Sequence, residues 1–456
     1  MKKVTKILSV MCAVAAASAS LTGCKGKDTK DITTVSVWSG SGGGKAVITN
    51  MVKEFNEGIG KDNNVAIDIT FKEGDQNEQL DLAFKTGQAP DIFITSYLDK
   101  YVENGYIAPI EDLPGGEELV GKYSGELIPN IHTYKEKTYC LPQETITFGL
   151  VYNKDMFKKA GIVDENGDAK PPQTLDEVIE YAKKLTDNSK REYGIIFPIK
   201  WGGFVDYELG SVLQASYGRN EYNPVTGQYD FSVWKKVLEF AKQLKDDGSI
   251  YPGSENIDND AARARFAEGN VGMKFAVSWD TGVLNDQFPA KCDWGVAPIP
   301  VADINDVYYQ KSLRNFGPMI NKKSLEIKDV EKLALVYKWM YSEEYEQRLY
   351  DECISLPVHA EVVKNANITT NKAGWKEFGE LIEISHEAPE AIKTELGNNQ
   401  SFADMFTNEF WQGTATAEDI INRADKVYNE GIAKYKENNP EYDGELYIKK
   451  DWNVKR

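Results

Sequence analysis

Histidine and cysteine are scarce in this chain of 456 residues, which contains 3 of the first and 5 of the second. No pair of cysteines has C-x-x-C spacing, and cysteine and histidine do not cluster as they do in zinc sites. With so few histidines, a catalytic Cys-His pair or a Ser-His-Asp triad is not expected. We expect neither a metal ion nor a cofactor, and the spacing leaves open whether Cys140, Cys292 or Cys353 form a disulfide.

Basic residues are also in deficit. The chain has 53 Lys and Arg against 71 Asp and Glu, a net charge of -18, and such an acidic surface repels nucleic acids and anionic lipid headgroups. Long hydrophobic runs are absent too, because the most apolar stretch, residues 7–19, is shorter than the roughly 20 residues that a membrane-spanning helix needs. We therefore expect no nucleic-acid partner and no membrane span.

The N-terminus has the composition of an export signal, with three lysines among the first six residues and the weakly apolar run after them. The run ends at Leu-Thr-Gly-Cys, residues 21–24, which resembles the lipobox of bacterial lipoproteins. That resemblance implies that residues 1–23 are removed, that Cys24 carries lipid and that residues 24–31 form a polar tether. The protein would then be anchored to the outer face of the cytoplasmic membrane, in a Gram-positive type of cell. Cleavage after small residues, which would release a free protein, is the alternative.

The rest of the chain alternates strand-like and helix-like patterns. Residues 33–38 alternate in the manner of a strand, and a glycine-rich loop and a helical pattern follow them. Strand patterns at 65–71 and 92–94 continue the alternation, and a second such tract begins near Leu150. Strands that alternate with helices indicate an α/β fold with a largely parallel sheet, and the length predicts two domains. The glycine-rich loop lacks the Gly-Lys-Ser/Thr ending of a phosphate-binding loop.

Four stretches carry a family resemblance. Residues 86–92 read TGQAPDI, residues 150–161 read LVYNKDMFKKAG, residues 266–273 read FAEGNVGM and residues 355–358 read SLPV. Trp279 lies six residues beyond the third stretch. In this order, across nearly the whole mature chain, they resemble the family-1 extracellular solute-binding proteins, which are the substrate receptors of carbohydrate ABC importers.

The resemblance implies a two-lobe, type II periplasmic-binding-protein-like fold. Each lobe would be a mostly parallel sheet flanked by helices, with the ligand cleft between the lobes. Lobe 1 would comprise residues 32–144 plus 313–356, and lobe 2 residues 145–312 plus 357–456. The chain crossings would lie near 142–146, 307–316 and 356–358. The resemblance further implies a monomeric, non-catalytic receptor that closes on an oligosaccharide by hinge motion and hands it to the permease subunits of an ABC importer.

A neutral sugar needs aromatic rings against its C–H faces, and it needs carboxylates, amides or an Arg side chain for its hydroxyls. In the family pattern the tryptophan at the position of Trp279 stacks on the sugar, and a packed core tryptophan is the alternative. Trp38 is as readily a core side chain as a stacking one, and Asp91 is interpreted as structural. The expected ligand-binding residues are Trp38, Ser39, Ser41, Asp75, Gln76, Thr95, Ser96, Tyr97, Glu144, Trp201, Asp206, Trp279, Asp280, Arg314, Asn315 and Phe316.

Two other functions fit part of the pattern. An extracellular glycoside hydrolase would also combine aromatic rings with paired carboxylates, and 71 acidic residues always supply such a pair. A receptor for a non-sugar solute could share the two-lobe fold. The sequence does not reveal the sugar, its linkage or its length, although abundant Tyr and Trp favour an oligosaccharide over a monosaccharide.

Overall fold

The computed structural model describes residues 32–40, 44–368 and 372–456. The predicted signal peptide, the predicted lipidation site Cys24 and the predicted contact residue Ser41 lie outside the described residues. Two lobes are present, and each is organised around a β-sheet. No helix within the described part of the chain is long and apolar enough to cross a membrane.

The strands are short except for β1, β2, β7 and β11. In chain order they are β1 (Thr33–Gly40), β2 (Val65–Lys72), β3 (Ile92–Phe93), β4 (Ile107–Ala108), β5 (Thr133–Tyr134), β6 (Lys137–Thr138), β7 (Thr145–Asn153), β8 (Tyr193–Ile195), β9 (Tyr222–Asn223), β10 (Gln228–Tyr229), β11 (Val271–Val277), β12 (Trp294–Ala297), β13 (Gln310–Arg314), β14 (Met319–Asn321) and β15 (Ser385–His386).

The α-helices are α1 (Lys45–Glu57), α2 (Ile59–Asn63), α3 (Gln76–Thr86), α4 (Leu98–Glu103), α5 (Gly116–Lys122), α6 (Lys154–Lys159), α7 (Leu175–Leu185), α8 (Gly210–Tyr217), α9 (Lys235–Asp246), α10 (Asn259–Ala267), α11 (Asp280–Gly282), α12 (Lys322–Ile327), α13 (Val330–Trp339), α14 (Glu343–Asp351), α15 (Ala360–Lys364), α16 (Trp375–Glu380), α17 (Phe402–Met405) and α18 (Ala417–Asn438). Short 3₁₀ turns occupy Ile110–Asp112, Phe231–Trp234, Ser254–Asn256, Leu381–Ile384 and Gly444–Tyr447. Short π-helical segments occupy Phe204–Leu209, Val283–Gln287 and Phe406–Phe410.

The sheet of the first lobe has the strand order β2-β1-β3-β14-β4. β2 and β3 run parallel to β1, and β14 is antiparallel to β3 and β4. The apolar residues of β1 alternate, so Val35 and Val37 are 0% and 2% exposed and pack with Val52 and Phe55 of α1 in one core. Since β1, β2 and β3 are parallel, their C-terminal ends meet at one edge of the sheet, where open α/β sheets bind ligands.

The sheet of the second lobe has the order β15-β13-β7-β11-β8, and β12 pairs with the far end of β7. All nine residues of β7 are buried. β7 runs antiparallel to β11, β12 and β13, so this sheet is mixed and differs from the mostly parallel sheet that was expected. The reason is that β7 enters directly from the first lobe and does not follow a βαβ crossover. β8 and β11 are parallel neighbours, so their C-terminal ends share one edge.

Three chain segments connect the lobes and lie side by side. Thr145 at the start of β7 pairs with Arg314 at the end of β13, and the Thr145 N–H donates to the Leu356 carbonyl over 3.1 Å. A Cβ atom on Gly317 would lie 1.8 Å from the Leu141 carbonyl oxygen, so only glycine allows these two segments to approach so closely. The three segments therefore form one continuous layer between the lobes.

The third segment makes contact with the second lobe before it reaches Leu356. Tyr350 of α14 is fully buried, and its ring stacks on that of Trp375 with centroids 5.5 Å apart. The Trp375 indole Nε1 donates to the Tyr350 carbonyl over 3.0 Å. The last turn of α14 therefore packs on α16 of the second lobe, although the rest of that helix lies on the first.

Candidate functional site

A cavity of ≈ 570 Å³ lies between the lobes, against the layer of connecting segments. The C-terminal end of β1 contributes Trp38 and Ser39, and the connecting segments contribute Glu144 and Phe316. The second lobe contributes Trp279, from the turn that follows β11. Aromatic rings beside a few polar groups, in a volume of this size, are typical of small-molecule sites.

Trp279 presents an exposed ring to this cavity. It is 53% exposed, although a large aromatic side chain is normally covered in a folded protein. Glu144 lines the same cavity, and Trp279 lies close enough to lower the pKa of its carboxyl group. The exposed ring is therefore accessible to a ligand in the cavity and is not enclosed in a core.

Glu144 is a partly buried carboxylate beside Trp279. Asn315 Nδ2, on the second connecting segment, donates to Glu144 Oε1 on the first over 3.0 Å. Burial raises the pKa of Glu144, and the hydrogen bond from Asn315 and the nearby Trp279 side chain partly offset that effect. A carboxylate held by fixed donors in a desolvated place can accept a hydrogen bond from a ligand hydroxyl with high selectivity.

Asn315 is held in turn by His132, which is fully buried in the first lobe. The Ile128 N–H donates to His132 Nδ1 over 3.0 Å, so Nδ1 is an acceptor and Nε2 carries the proton. Nε2 lies 3.1 Å from the Asn315 carbonyl oxygen and donates to it. Burial lowers the pKa of His132 to about 4, so the ring is neutral near pH 7. Nothing in the sequence indicated this role for a lone histidine.

Trp38 combines the two roles that the sequence left open. Its half-buried ring packs against the cluster that includes Phe93, and it also lines the cavity. Lys72 Nζ lies 3.6 Å from the centroid of the Trp38 ring, which is a cation–π distance, so one face of the ring is occupied. Gln76 approaches the same edge, since its Nε2 would be 3.3 Å from a Cβ atom on Gly40.

The polar side chains of the loops after β2 and β3 lie at the same edge of the sheet but do not line the cavity. Asp75 caps the N-terminus of α3 by accepting from two backbone N–H groups. Thr95 Oγ1 donates to Asn77 Oδ1 over 2.7 Å, and Asn77 Nδ2 donates to Ser96 Oγ over 3.1 Å. Asp75 and Thr95 therefore shape the loops, whereas Ser96 and Tyr97 are exposed beside them.

Trp201 and Asp206 lie in the second lobe, on the segment that follows β8. The Trp201 ring stacks on that of Tyr207 with centroids 6.1 Å apart, and Tyr207 is 42% exposed. Asp206 is exposed, and its backbone carbonyl accepts from Lys311 Nζ over 2.9 Å. These residues do not line the cavity, but they follow β8 as Trp279 follows β11, at the shared edge of the sheet.

Asp280 and Arg314 also lie outside this cavity, and each is held in an ion pair. Asp280 is 1% exposed, and its carboxylate forms an ion pair with Arg263, whose Nε donates to Oδ1 over 2.7 Å. Arg314 is 9% exposed, and its Nη2 lies 2.6 Å from Glu126 Oε2. Arg314 lines a different cavity, also of ≈ 570 Å³, which shares no lining residue with the first. Internal ion pairs explain both positions, because a buried charge needs a partner.

The cavity also has lining residues that the sequence patterns did not assign to it. They come from α1, from the region of α13 and α14, from the third connecting segment and from α16, where helical periodicity marks a buried face without showing what covers it. They include Lys45, Met340, Tyr345, Ile354, Ser355 and Trp375. In the described ranges, no group of three or more His, Cys, Asp or Glu side chains is arranged to hold a metal ion.

Residues 40–347 match the family described as bacterial extracellular solute-binding protein. The chain belongs to this family. The match spans three of the four stretches that carried the resemblance, so the predicted family is confirmed. Its members bind solutes and are not enzymes.

Curated relatives of this solute-binding protein include the sn-glycerol-3-phosphate-binding periplasmic protein UgpB of Agrobacterium fabrum. It is 25% identical over 425 residues, which are 87% of this chain and 91% of that protein. A binding protein of Brucella abortus is 26% identical over 231 residues, 49% of this chain and 52% of that protein. The chain therefore spans about half the length of the latter relative.

Solved structures with the same fold include two receptors for sugar-like ligands. The GacH receptor of Streptomyces glaucescens, solved unliganded and with acarbose, has a TM-score of 0.64 at 19% identity and covers 89% of this chain and 100% of that one. A cyclic alpha-maltosyl-1,6-maltose binding protein from Arthrobacter globiformis has a TM-score of 0.65 at 18% identity, with 88% and 100% covered. These matches confirm the predicted two-lobe, type II fold.

Proposed function

We propose that this protein is the solute receptor of an ABC importer, held at the cell surface by lipidated Cys24, and that it captures an oligosaccharide between its lobes for delivery to the permease. One observation carries the sugar assignment: the exposed ring of Trp279 lies beside the carboxylate of Glu144 in a cavity between the lobes. A sugar presents apolar C–H faces and hydroxyl edges, and this pair of side chains offers a partner to each. The acarbose complex of GacH supports the assignment by analogy of fold.

We propose that the receptor is a monomer with two lobes. Lobe 1 comprises residues 32–144 plus 313–356, and lobe 2 comprises residues 145–312 plus 357–456. The contacts are expected from both lobes and from the layer between them. The proposed ligand-binding residues are Trp38, Ser39, Gln76, Ser96, Tyr97, Glu144, Trp201, Trp279 and Phe316, with Asn315 holding Glu144 in place.

Closure of the lobes is the proposed mechanism of capture. Trp201 lies outside the cavity in this structure but at the same edge of the second lobe as Trp279, so rotation about the connecting segments can bring it to the ligand. A ligand shifts the equilibrium between open and closed forms only by its different affinity for the two. A sugar that touches both lobes has that difference, because the open form offers it only part of its contacts.

A phosphorylated polyol is a second candidate. The N-terminal end of α1, with Gly44 and Lys45, lines the same cavity, and helix N-termini attract anions. The Agrobacterium fabrum relative is named for sn-glycerol-3-phosphate. However, Glu144 places a carboxylate in the cavity, and a net charge of -18 repels anions. A neutral sugar therefore remains the first candidate.

Calorimetric titration with malto-, xylo-, manno- and fructo-oligosaccharides and with sn-glycerol 3-phosphate distinguishes the two candidates. We expect one oligosaccharide series to bind. Trp279→Ala should then weaken binding by about 1–3 kcal/mol, or roughly 5- to 150-fold in Kd, because the stacked ring is lost. Leu82→Ala is the control, because it also truncates a large, exposed apolar side chain. Leu82 is 64% exposed and does not line the cavity.

Three results would contradict the proposal in different ways. Binding of the phosphate ester alone would replace the sugar with the second candidate. Hydrolysis of an oligosaccharide would indicate a glycosidase. Unchanged sugar affinity in Trp279→Ala would reject the stacking role of that ring.

A further inference from the structure

Lys274 and Glu208 form an ion pair inside the second lobe, where Lys274 is 1% exposed and Glu208 is 3% exposed. Lys274 Nζ lies 2.6 Å from Glu208 Oε1 and also donates to the Phe275 carbonyl over 2.6 Å. A third charge is close, because Asp280 Oδ2 lies 3.9 Å from the same Nζ. Three ionisable groups so far from water need a reason, since an apolar cluster of similar volume is often equally stable.

The chain positions of these groups suggest the reason. Lys274 lies in β11, and Glu208 lies in the π-helical segment Phe204–Leu209, which follows β8. Asp280 comes directly after Trp279. Because β8 and β11 are parallel neighbours, the segments after them start at the same edge of the sheet. The Lys274 side chain reaches from one strand to both of these segments.

Each segment carries an aromatic side chain at the edge that faces the first lobe. The segment after β8 carries the stacked pair Trp201 and Tyr207, and the turn after β11 carries Trp279. Glu208 is the neighbour of Tyr207 in sequence, and Asp280 is the neighbour of Trp279. A movement of either carboxylate would therefore move a ring.

The two carboxylates depend on Lys274 to different degrees. Asp280 has its own cation, because Arg263 Nε donates to it over 2.7 Å. Glu208 receives its one hydrogen bond from Lys274, and its Oε2 is buried without a hydrogen-bond partner among the described residues. Burial raises the pKa of Glu208 to about 7, and Lys274 acts against that rise. Lys274 is thus the group that holds Glu208, and with it the segment after β8, in this position.

The geometry points to Lys274 as a positioning residue: by bonding Glu208 and approaching Asp280, it fixes the spacing between the Trp201–Tyr207 pair and Trp279, and so the shape of the second lobe's ligand surface. The expected effect on ligand affinity rests on the proposed function. The effect of Lys274 on the positions of the aromatic rings does not, because it concerns the second lobe alone. Hydrogen bonds between charged groups have strict distances and directions, and apolar side chains of the same volume do not impose them.

The experiment uses the full mature chain labelled with fluorotryptophan and observed by fluorine NMR. The resonance of Trp279 is assigned by its loss in Trp279→Phe, and Trp234, which is 1% exposed, is the internal reference. Lys274→Met alone leaves Glu208 buried without a cation and can unfold the lobe, so the decisive variant also carries Glu208→Gln. The control replaces an exposed pair of the same lobe, Lys159→Met with Glu192→Gln, whose atoms lie 2.6 Å apart.

In the Lys274→Met, Glu208→Gln variant we expect the Trp279 resonance to shift or broaden while that of Trp234 stays unchanged. An unaltered Trp279 resonance would overturn the inference, whether or not any sugar binds. Maltotriose and the other oligosaccharides of the calorimetric panel supply the second readout, with affinity expected to fall about tenfold or more. A shifted resonance with unchanged affinity would show that this spacing does not set binding.

Discussion

Acid should destabilise this protein through His132 in a way that can be measured separately. The ring is fully buried and neutral, and its pKa is lowered from 6.5 to about 4, chiefly by burial. The unfolded chain takes up a proton below about pH 6.5, whereas the folded chain does so only near pH 4. The contribution of His132 is therefore complete above pH 6.5 and is lost progressively as the pH falls to about 4. That interval corresponds to roughly 3 kcal/mol of unfolding free energy.

The matched variant is His132→Gln, because a glutamine amide can accept from the Ile128 N–H and donate to the Asn315 carbonyl without titrating. We expect urea unfolding to show that the wild type loses roughly 2–3 kcal/mol more than the variant between about pH 7 and pH 4.5. His359, whose pKa is raised by its bond to Glu346, has the opposite dependence but contributes equally to both proteins. Parallel stability curves for the two proteins would refute the reasoning.

Three further predictions concern other parts of the chain. Asp91 is 4% exposed and accepts from Ser36, Ser324 and Lys328, so Asp91→Ala should cost about 3 kcal/mol or more in thermal unfolding with little change in ligand affinity. Gly317→Ala would place a Cβ 1.8 Å from a carbonyl oxygen, and it should lower stability by about 1–3 kcal/mol and change the X-ray scattering profile, whereas an unchanged profile would show that the connecting segments adapt. Cys24→Ser should abolish labelling by a palmitate analogue and release the protein into the medium; retained labelling would place the lipid elsewhere.

Local patterns were the reliable part of the sequence. The alternation of residues 33–38 predicted β1, and Thr-Leu-Asp-Glu at residues 174–177 has the sequence pattern of a capping box: the Thr174 hydroxyl accepts from the Glu177 N–H over 3.2 Å at the start of α7. Asp91 was correctly read as structural. These predictions succeeded because the hydrogen bonds and the buried faces involved are set by residues near one another in the chain.

The same patterns do not predict which charged residues pair with one another when they are far apart in the sequence. Asp280 was expected in the cleft because it follows Trp279, but its charge is neutralised by Arg263 on a helix that precedes β11. Arg314 and Asn315 were both expected to contact the ligand, yet adjacent residues of an extended segment point to opposite faces, so Arg314 pairs with Glu126 while Asn315 meets Glu144. A single sequence does not show which distant charge compensates a buried one.

The place of β14 in the first sheet has a consequence for how the molecule is made. β14 lies between β3 and β4, although β4 ends at residue 108 and β14 begins at residue 319. At about 5–20 residues per second, a ribosome needs roughly 10–40 s to supply the strand that completes this sheet. During that delay the facing edges of β3 and β4 have no partner, so the sheet of the lobe that is synthesised first stays incomplete until residues 145–312 of the second lobe have been made.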